Sequence, residues 1–517
     1  MEKLNKDIIL LILEELQDDY KTIRSCLLVN KDLCETTIPI LWKNPTRKDH
    51  INNEKSFLQV ILSHLSEKSR NNLKKQGFEF FEDQRPLLYN YISFWRHLDL
   101  NFLECIITNH PNIKYNHSDI IYKVGNEILN LFNMNTKFIS LSIQNLDRIH
   151  ITGTESCFSE LKYCSCDVKI NSNVLESLAI TNTSIKKLIF EINHLKNNPG
   201  IIRLIEAQKS LKKVNFGNIF VENRHETYFS IIRAQEELKD LAVLDRNGFI
   251  IYDTYFKTLE ESLIKCADTI QYLKIRWIPI TNYLSYLINL VSLKIQPTHK
   301  AHFKHLENLF LPHLKCLKTR YISSKILASL IENTKGQLNK ISILFQNTTD
   351  NEKLIQVIYK NCPNLSYLQL SLVDSDIPEV ENILIHCQFL IELEIMELNE
   401  FSPFEKDDWN KLFEILLRSS PINLFKFKFF SRNIENKLEI LKLFLDSWKD
   451  RHPIILQTIT LEYELDKLEL QVLKDQLQMY KVESIIKNYD FDDNTEGIGR
   501  LYHNSEFNNM CRLRINW

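Results

Sequence analysis

Apolar residues recur along most of this chain in the order apolar-x-x-apolar-x-apolar. The phrase appears at Phe138-x-x-Leu141-x-Ile143, Leu161-x-x-Cys164-x-Cys166, Ile185-x-x-Leu188-x-Phe190, Leu211-x-x-Val214-x-Phe216 and Leu238-x-x-Leu241-x-Val243. It continues at Ile270-x-x-Leu273-x-Ile275, Leu290-x-x-Leu293-x-Ile295, Leu314-x-x-Leu317, Leu338-x-x-Ile341-x-Ile343 and Leu365-x-x-Leu368-x-Leu370. Leu390-x-x-Leu393-x-Ile395, Leu424-x-x-Phe427-x-Phe429 and Leu456-x-x-Ile459-x-Leu461 close the series. Successive starts lie 20 to 34 residues apart. A further match, Leu175-x-x-Leu178-x-Ile180, falls off this register and is left unassigned. Two apolar residues at alternate positions predict a short strand with one buried face, and the leading residue turns into the core ahead of it.

Between these phrases the period becomes helical. In residues 350–361, Leu354, Ile355 and Ile358 form one stripe of a helix. Pro363 cannot continue that helix and disfavours helical backbone at Cys362. Similar joints stand at Cys387 before Leu390 and at Cys266 before Ile270. A small apolar cysteine suits a tight passage from helix end to strand start. Strand, turn and helix repeated at this spacing match a leucine-rich repeat, whose units bury their apolar faces only against their neighbours. The expected fold class is therefore α/β, a curved solenoid of parallel strands and outer helices over residues 138–463. A charged helix within 465–488 and the polar tail from Tyr489 onward are expected to form a C-terminal cap over 464–517.

Residues 1–45 follow another pattern. Ile8, Ile9, Ile12, Leu13 and Leu16 predict an amphipathic helix. Asp19 is a candidate N-cap for a second helix carrying Ile23, Leu27 and Leu28. A third short helix leads to Ile38-Pro39-Ile40-Leu41-Trp42. Forty-odd residues make a weak core alone, so such a unit leans on a partner. Residues 46–137 read as a helical region joining it to the repeats. Within them Tyr89, Tyr91, Phe94 and Trp95 are expected to form an aromatic core that orients the N-terminal helices.

Composition narrows the function. The 517 residues carry 64 Lys+Arg against 66 Asp+Glu, a net charge of −2, which excludes a globally basic nucleic-acid binder. Nine glycines form neither G-x-G-x-x-G nor G-x-x-x-x-G-K-[ST], so the usual phosphate-cradling loops are absent. Neither H-E-x-x-H nor G-x-S-x-G occurs. Cys157, Cys164 and Cys166 stand near His150, but two of them occupy inward strand positions and read as core rather than metal ligands. Asp490-x-Asp492-x-Asn494 resembles the start of a calcium loop, but Thr495 and Leu501 stand where that loop needs Gly and Glu. No cofactor, metal or catalytic residue is expected. No secretory leader is read at Ile8–Leu13 and no apolar run reaches about 18 residues, so eleven reduced cysteines in the cytoplasm or nucleus are expected, without a membrane partner.

The N-terminal phrases Leu4-Asn5-Lys6-Asp7-Ile8, Ile12-Leu13-Glu14-Glu15-Leu16, Leu28-Val29-Asn30-Lys31 and Ile38-Pro39-Ile40-Leu41-Trp42 resemble an F-box in order and spacing. That family usually has proline after the first leucine, where this chain has Asn5. With the repeats, the whole resembles an F-box/leucine-rich-repeat protein, and residues 85–94 (RPLLYNYISF) are similar to a phrase of the expanded fungal branch of that family. The resemblance implies a non-catalytic substrate receptor of a Skp–cullin–F-box ubiquitin ligase. Leu4, Asn5, Ile8, Ile12, Leu28, Val29, Pro39, Leu41 and Trp42 would then dock on a Skp-type adaptor, and through it a cullin. The repeats would capture an unidentified protein for ubiquitination. The alternative is a leucine-rich-repeat scaffold without a ubiquitin role, its N-terminal helices merely capping the array.

Strand alternation indicates where a substrate would lie. Positions flanking the inward residues carry Tyr272, Lys274 and Arg276, then Ser292 and Lys294, then Lys318, then Lys340 and Ser342. Tyr367 and Gln369, Glu392 and Glu394, and Lys426 and Lys428 follow. The expectation is a concave strip whose cations attract an acidic or phosphorylated segment while Glu392 and Glu394 contact a basic part. The competing reading is that exposed strand positions in a lysine-rich chain are lysine by chance.

Overall fold

The computed structural model describes residues 5–16, 19–46, 54–80, 87–110, 118–143, 149–167, 169–191, 198–219, 238–245, 253–297, 303–344, 350–397, 404–431, 438–460, 475 and 477–492. The chain forms two compact units, Met1–Leu238 and Lys239–Trp517.

The first unit opens with helices α1 (Lys6–Glu15), α2 (Tyr20–Cys26) and α3 (Lys31–Lys43). Each starts at a side-chain cap: Asn5 accepts from the Asp7 N–H, Asp19 from Thr22 and Asn30 from Leu33. α3 runs through Pro39 to Lys43, longer than its sequence suggests. Proline removes a ladder hydrogen bond, yet the helix continues for four residues beyond it. Helices α4 (Glu54–Ser63) and α5 (Glu67–Lys75) follow, and then the strands begin.

Among the described residues of this unit five parallel strands stand in chain order: β1 (His97–Asp99), β2 (Ser140–Ile143), β3 (Tyr163–Asp167), β4 (Lys187–Glu191) and β5 (Lys213–Ile219). Helices α6 (Leu100–Thr108) and α7 (Ser118–Asn135) lie between β1 and β2, α8 (Ser172–Thr181) between β3 and β4, and α9 (Pro199–Glu206) between β4 and β5. The register aligns Leu98, Leu141, Cys164, Leu188 and Val214, the central residues of successive phrases. β1 lies in the region read as helical, and its phrase is Trp95-x-x-Leu98-x-Leu100, all three residues buried. The stray match Leu175-x-x-Leu178-x-Ile180 belongs to α8: Leu175 and Leu178 are buried one turn apart, and Ile180 faces solvent. Neighbouring repeats approach closely at Gly200, where an added Cβ would stand 2.5 Å from the Ser172 carbonyl oxygen. Gly153, at φ +84°, adopts a left-handed turn that only glycine takes at no steric cost.

The described residues of the second unit form ten parallel strands in chain order: β6 (Asp240–Asp245), β7 (Tyr272–Ile275), β8 (Ser292–Ile295), β9 (Cys316–Arg320), β10 (Lys340–Leu344), β11 (Tyr367–Leu372), β12 (Glu392–Glu397), β13 (Lys426–Ser431), β14 (Ile454–Thr460) and β15 (Ile486–Asp492). Helices α10 (Asp253–Lys265), α11 (Ser324–Glu332), α12 (Asn351–Asn361), α13 (Ile377–His386), α14 (Lys406–Ser419) and α15 (Leu438–Trp448) stand between them. The order is that of a solenoid, each strand hydrogen-bonded to the next in sequence. Every leading residue from Ile270 to Leu424 in the series is fully buried. At roughly 1.5–3 kcal/mol for each large apolar side chain, these columns hold the array together.

Two sequence expectations are corrected here. The last phrase is out of register by three residues: Leu456 pairs with Phe427, so it is the central residue of its phrase and not the leading one. Pairing is decided by the neighbouring strand, and Leu456 fits the hole beside Phe427 whichever apolar residues follow. Of the expected cap, the described residues 477–482 are helical as read, but Ile486–Asp492 forms a further parallel strand on β14 where a polar tail was expected. That places Asp490 and Asp492 in a strand ladder; Asn494 lies outside the described residues.

The cysteine joints take the structural place read from the sequence. Cys362 and Cys387 close α12 and α13, both fully buried, and the Cys387 thiol donates to the Cys362 carbonyl at 3.7 Å. Burial pushes both thiols up to about 12. The thiolate is the reactive form, so these cysteines pack and do not react.

Candidate functional site

The first helix is apolar on two faces. Ile9 and Leu13 turn inward to Ile23, with Leu16, Cys26, Leu33, Ile40 and Leu41 packed around them. Ile8, Leu10, Leu11 and Ile12 turn outward and are exposed, Leu11 by 62%. The turn between α2 and α3 also holds exposed apolar residues, Leu28 at 90% and Val29 at 64%. A helix apolar all round is ordinarily buried on all sides, and a contiguous exposed apolar surface marks an interaction site. Between α1 and the start of α3 runs a groove lined by Ile9, Ile12, Leu13, Leu16, Cys26 and Leu33, with Asn30, Lys31 and Asp32 at its rim.

Ion pairs link α1 to α3 at the surface. Lys6 Nζ donates to Glu35 at 2.9 Å and lies 3.7 Å from Asp32; Lys31 reaches Glu35 at 3.8 Å. The hydrogen bond and charge of Lys6 hold the Glu35 carboxyl below its ordinary range, and Glu35 holds the Lys6 ammonium above its own.

The structure separates the nine residues assigned to adaptor docking. Ile8, Ile12, Leu28 and Val29 face solvent together with Leu10 and Leu11, which sequence reading passed over. The signal for those two was the unbroken run Ile8–Leu13, too apolar for one buried face. Asn5 caps α1, so the residue in the usual proline position does a helix-starting job of its own. Leu4 lies outside the described residues. Pro39 is half-buried within α3, and Leu41 packs on the internal cluster.

Trp42 turns away from that apolar surface. Its ring stacks on Phe57 at 5.5 Å and meets Tyr91 at 4.8 Å. Phe57 then meets Trp95 edge-on at 5.5 Å, and Trp95 meets Phe132 at 5.2 Å and Phe138 at 6.2 Å. The Trp95 indole N–H donates to the His97 carbonyl at 2.6 Å, and the Arg96 N–H donates to the Lys43 carbonyl at 2.9 Å. An aromatic column thus ties the end of α3 to the first two strand phrases. Tyr89 joins it through Tyr91 at 5.9 Å.

In the second unit the residues of the expected strip fall into two cross-strand rows. One row holds Tyr272, Ser292, Cys316, Lys340, Tyr367, Glu392 and Lys426. The other holds Lys274, Lys294, Lys318, Ser342, Gln369, Glu394 and Lys428, and Arg276 follows just past the end of β7. The rows do bring Lys294, Lys318 and Lys340 around Cys316, whose thiol they draw down against the larger upward push of burial.

The carboxylates, however, are engaged within the protein. Glu392 lies 3.7 Å from Lys426. Glu394 is buried and accepts from Gln369 Nε2 at 2.6 Å, while the Ser342 hydroxyl donates to Gln369. Burial raises the Glu394 carboxyl above its ordinary range, and Lys428 opposes the rise. Ser342, Gln369 and Glu394 therefore form an internal polar ladder across β10, β11 and β12.

The remaining constellation of the sequence, Cys157, Cys164 and Cys166, is fully packed; burial pushes the Cys157 thiol up to about 12. His150 lies against the Tyr122 ring at 5.3 Å. Among the described residues no group of three or more His, Cys, Asp or Glu side chains could hold a metal ion, and no helix is long and apolar enough to cross a membrane. Comparison with models of known protein families and with curated proteins finds no match to this chain.

Proposed function

We propose that this chain is a non-catalytic substrate receptor of a Skp–cullin–F-box ubiquitin ligase. Its N-terminal helices dock on a Skp-type adaptor, and its strand repeats capture a protein for ubiquitination. The reading is carried by one observation. Ile8, Leu10, Leu11, Ile12, Leu28 and Val29 are large apolar side chains left exposed on a three-helix module that also carries an apolar groove between α1 and α3. Large apolar side chains filling a partner's pockets dominate interfaces of this kind. The competing scaffold reading makes these helices a solenoid cap, but a cap presents a polar outer face. The Asn5 side chain starts α1 as an N-cap, in the position where the family usually has proline.

The test is co-purification of the full chain with a Skp-type adaptor. Replacing Ile8, Leu11 and Leu28 together with serine should reduce adaptor recovery at least about tenfold, as expected when several interface anchors are truncated. Unchanged recovery would rule the reading out. Trp42→Ala acts differently: it loosens the aromatic column and shows first as lost stability.

A further inference from the structure

Two half-buried histidines flank the aromatic column that ties the N-terminal helices to the strands. His64 follows the last turn of α4 and lies edge-on to the Tyr91 ring at 6.1 Å. Tyr91 is the ring that meets Trp42 at 4.8 Å, so His64 joins the column through it. The His64 Nε2 is buried and, among the described residues, has no hydrogen-bond partner. A helix C-terminus ordinarily favours a protonated histidine, because its last carbonyls are free. Here Arg70 of α5 has taken them: its Nη2 donates to the Ser63 carbonyl at 2.6 Å and its Nε to the Leu65 carbonyl at 3.2 Å. The carbonyls on either side of His64 thus already hold a guanidinium. A proton on the ring would put a second cation on the same turn, facing only that arginine and the uncharged Tyr91.

His97 stands at the strand side of the same column. It opens β1, its carbonyl accepts the Trp95 indole N–H, and it is half-buried. The charged groups that bear on it are Lys43, at the end of α3, and Arg96. Arg96 is held in place: Nη1 donates to the Ser93 carbonyl at 2.8 Å, the Trp95 carbonyl at 2.9 Å and the Thr136 hydroxyl at 3.2 Å. Ser140, which pairs with His97 from β2, is uncharged. Among the described residues no carboxylate bears on either histidine. Both rings stand where burial and a neighbouring cation oppose a proton, and nothing offsets the charge once it arrives.

We propose that this junction is an acid-sensitive latch. At neutral pH the uncharged rings of His64 and His97 close it around the aromatic column. A proton taken from water by either ring sets a cation beside Arg70, or beside Lys43 and Arg96, and the column loosens. Burial holds the His64 imidazole below its ordinary range, and Arg70 adds to the effect. Burial does the same to His97, and Lys43 and then Arg96 add to it. The folded junction therefore binds these protons less readily than the unfolded chain does. Its stability is complete above the ordinary histidine value of about 6.5 and is lost as pH falls through the lowered values. The contacts lie within the first unit, so the latch opens whether or not the helices dock an adaptor.

The experiment is amide hydrogen exchange of the full chain between about pH 7.5 and about pH 5, spanning the histidine range. Protection is taken relative to the intrinsic exchange rate at each pH. It is read at residues 57–64 and 95–99, with β10 as the reference inside the same molecule. The expected result is an about tenfold loss of protection at the junction and none in β10, as for a proton bound about tenfold less tightly in the folded state. His64→Phe with His97→Gln keeps a ring against Tyr91 and removes both ionisations, so its protection should stay level. Should that variant fail to fold, Lys43→Gln takes a cation from beside His97 and should make the loss smaller. Three results would overturn the proposal: junction protection that holds down to about pH 5, an equal loss in β10, or a loss as large as the parent's in the double variant or in the Lys43→Gln variant that replaces it.

Discussion

The N-terminal helices and the strand repeats solve the same problem differently. In the repeats, leading residues such as Phe138, Leu211, Leu338 and Leu390 are fully buried, because each repeat supplies the wall that its neighbour lacks. In the helices, α1 has apolar side chains on both faces and only α2 and α3 to cover them, so one face stays in water. A repeat array closes its core by adding copies. A three-helix module with an extra apolar face leaves that face in water unless another molecule covers it. Exposed leucine in one region and buried leucine in the other thus have different meanings, although the residue is the same.

The sharpest way to break that contrast is a pair of truncations. Trp95→Ala removes a fully buried ring at the junction of the aromatic column and should cost about 3–5 kcal/mol. Leu28→Ser removes an exposed side chain and should stay within about 0.5 kcal/mol of the parent. Chemical denaturation followed by far-ultraviolet circular dichroism measures both. If Leu28→Ser destabilised the free chain as strongly as Trp95→Ala, the apolar surface would be part of the protein's own core.

A smaller effect is expected where the repeat pattern is interrupted. The phrases at Ile270 and Leu290 lie only 20 residues apart, and a 3-10 turn, Tyr283–Tyr286, stands where a longer repeat has a helix. The Glu260 carboxylate holds this segment from α10. Oε1 accepts from Trp277 Nε1 at 3.0 Å and Ile280 N at 2.9 Å, and Oε2 accepts from the N–H and hydroxyl of Thr281, each at 2.7 Å. Glu260→Gln turns an NH2 group toward two of these donors and should cost about 1–3 kcal/mol. A lower denaturant midpoint with an unchanged slope is the expected readout. An unchanged midpoint would mean the loop is held by its apolar contacts alone.

The smallest expected effect is a pH dependence. Glu394 has its carboxyl raised by burial, so the folded chain keeps this proton to a higher pH than the unfolded chain does. Its favourable contribution is complete below the ordinary glutamate range and is lost as pH rises through the raised value. Glu394→Gln keeps an acceptor for Gln369 and removes the ionisation, so stability should fall less over that interval. Thermal unfolding of parent and variant across the acidic range tests the sign; a steeper fall in the variant would contradict it.

Much of the repeat fold was legible in the sequence because the signal is local. Alternation of two residues defines a buried strand face, and a proline or cysteine after an apolar stripe marks a helix end, as at Asn361-Cys362-Pro363. Legibility failed where a local pattern has two solutions. Leu175-x-x-Leu178 fits a strand phrase and a helix turn equally well, and the helix won because a strand already stood at Tyr163–Asp167. Trp95-x-x-Leu98-x-Leu100 fits both an aromatic core and a strand phrase, and the structure uses it as both. For the docking surface, the apolar run Ile8–Leu13 was readable, but its division into covered and uncovered sides was not.

The amino-acid sequence alone determined the alternation, the repeat spacing and the three N-terminal helices, since each follows from side-chain size and polarity within a few residues. The tertiary structure decided the register of Leu456 against Phe427, the burial of Glu394 in a polar ladder and the turn of Trp42 toward Phe57. It also set His64 against Tyr91. These depend on which residue of a distant segment arrives alongside. Nothing within a few residues of a histidine specifies which ring will meet it, because that distance is set by the packing of whole elements.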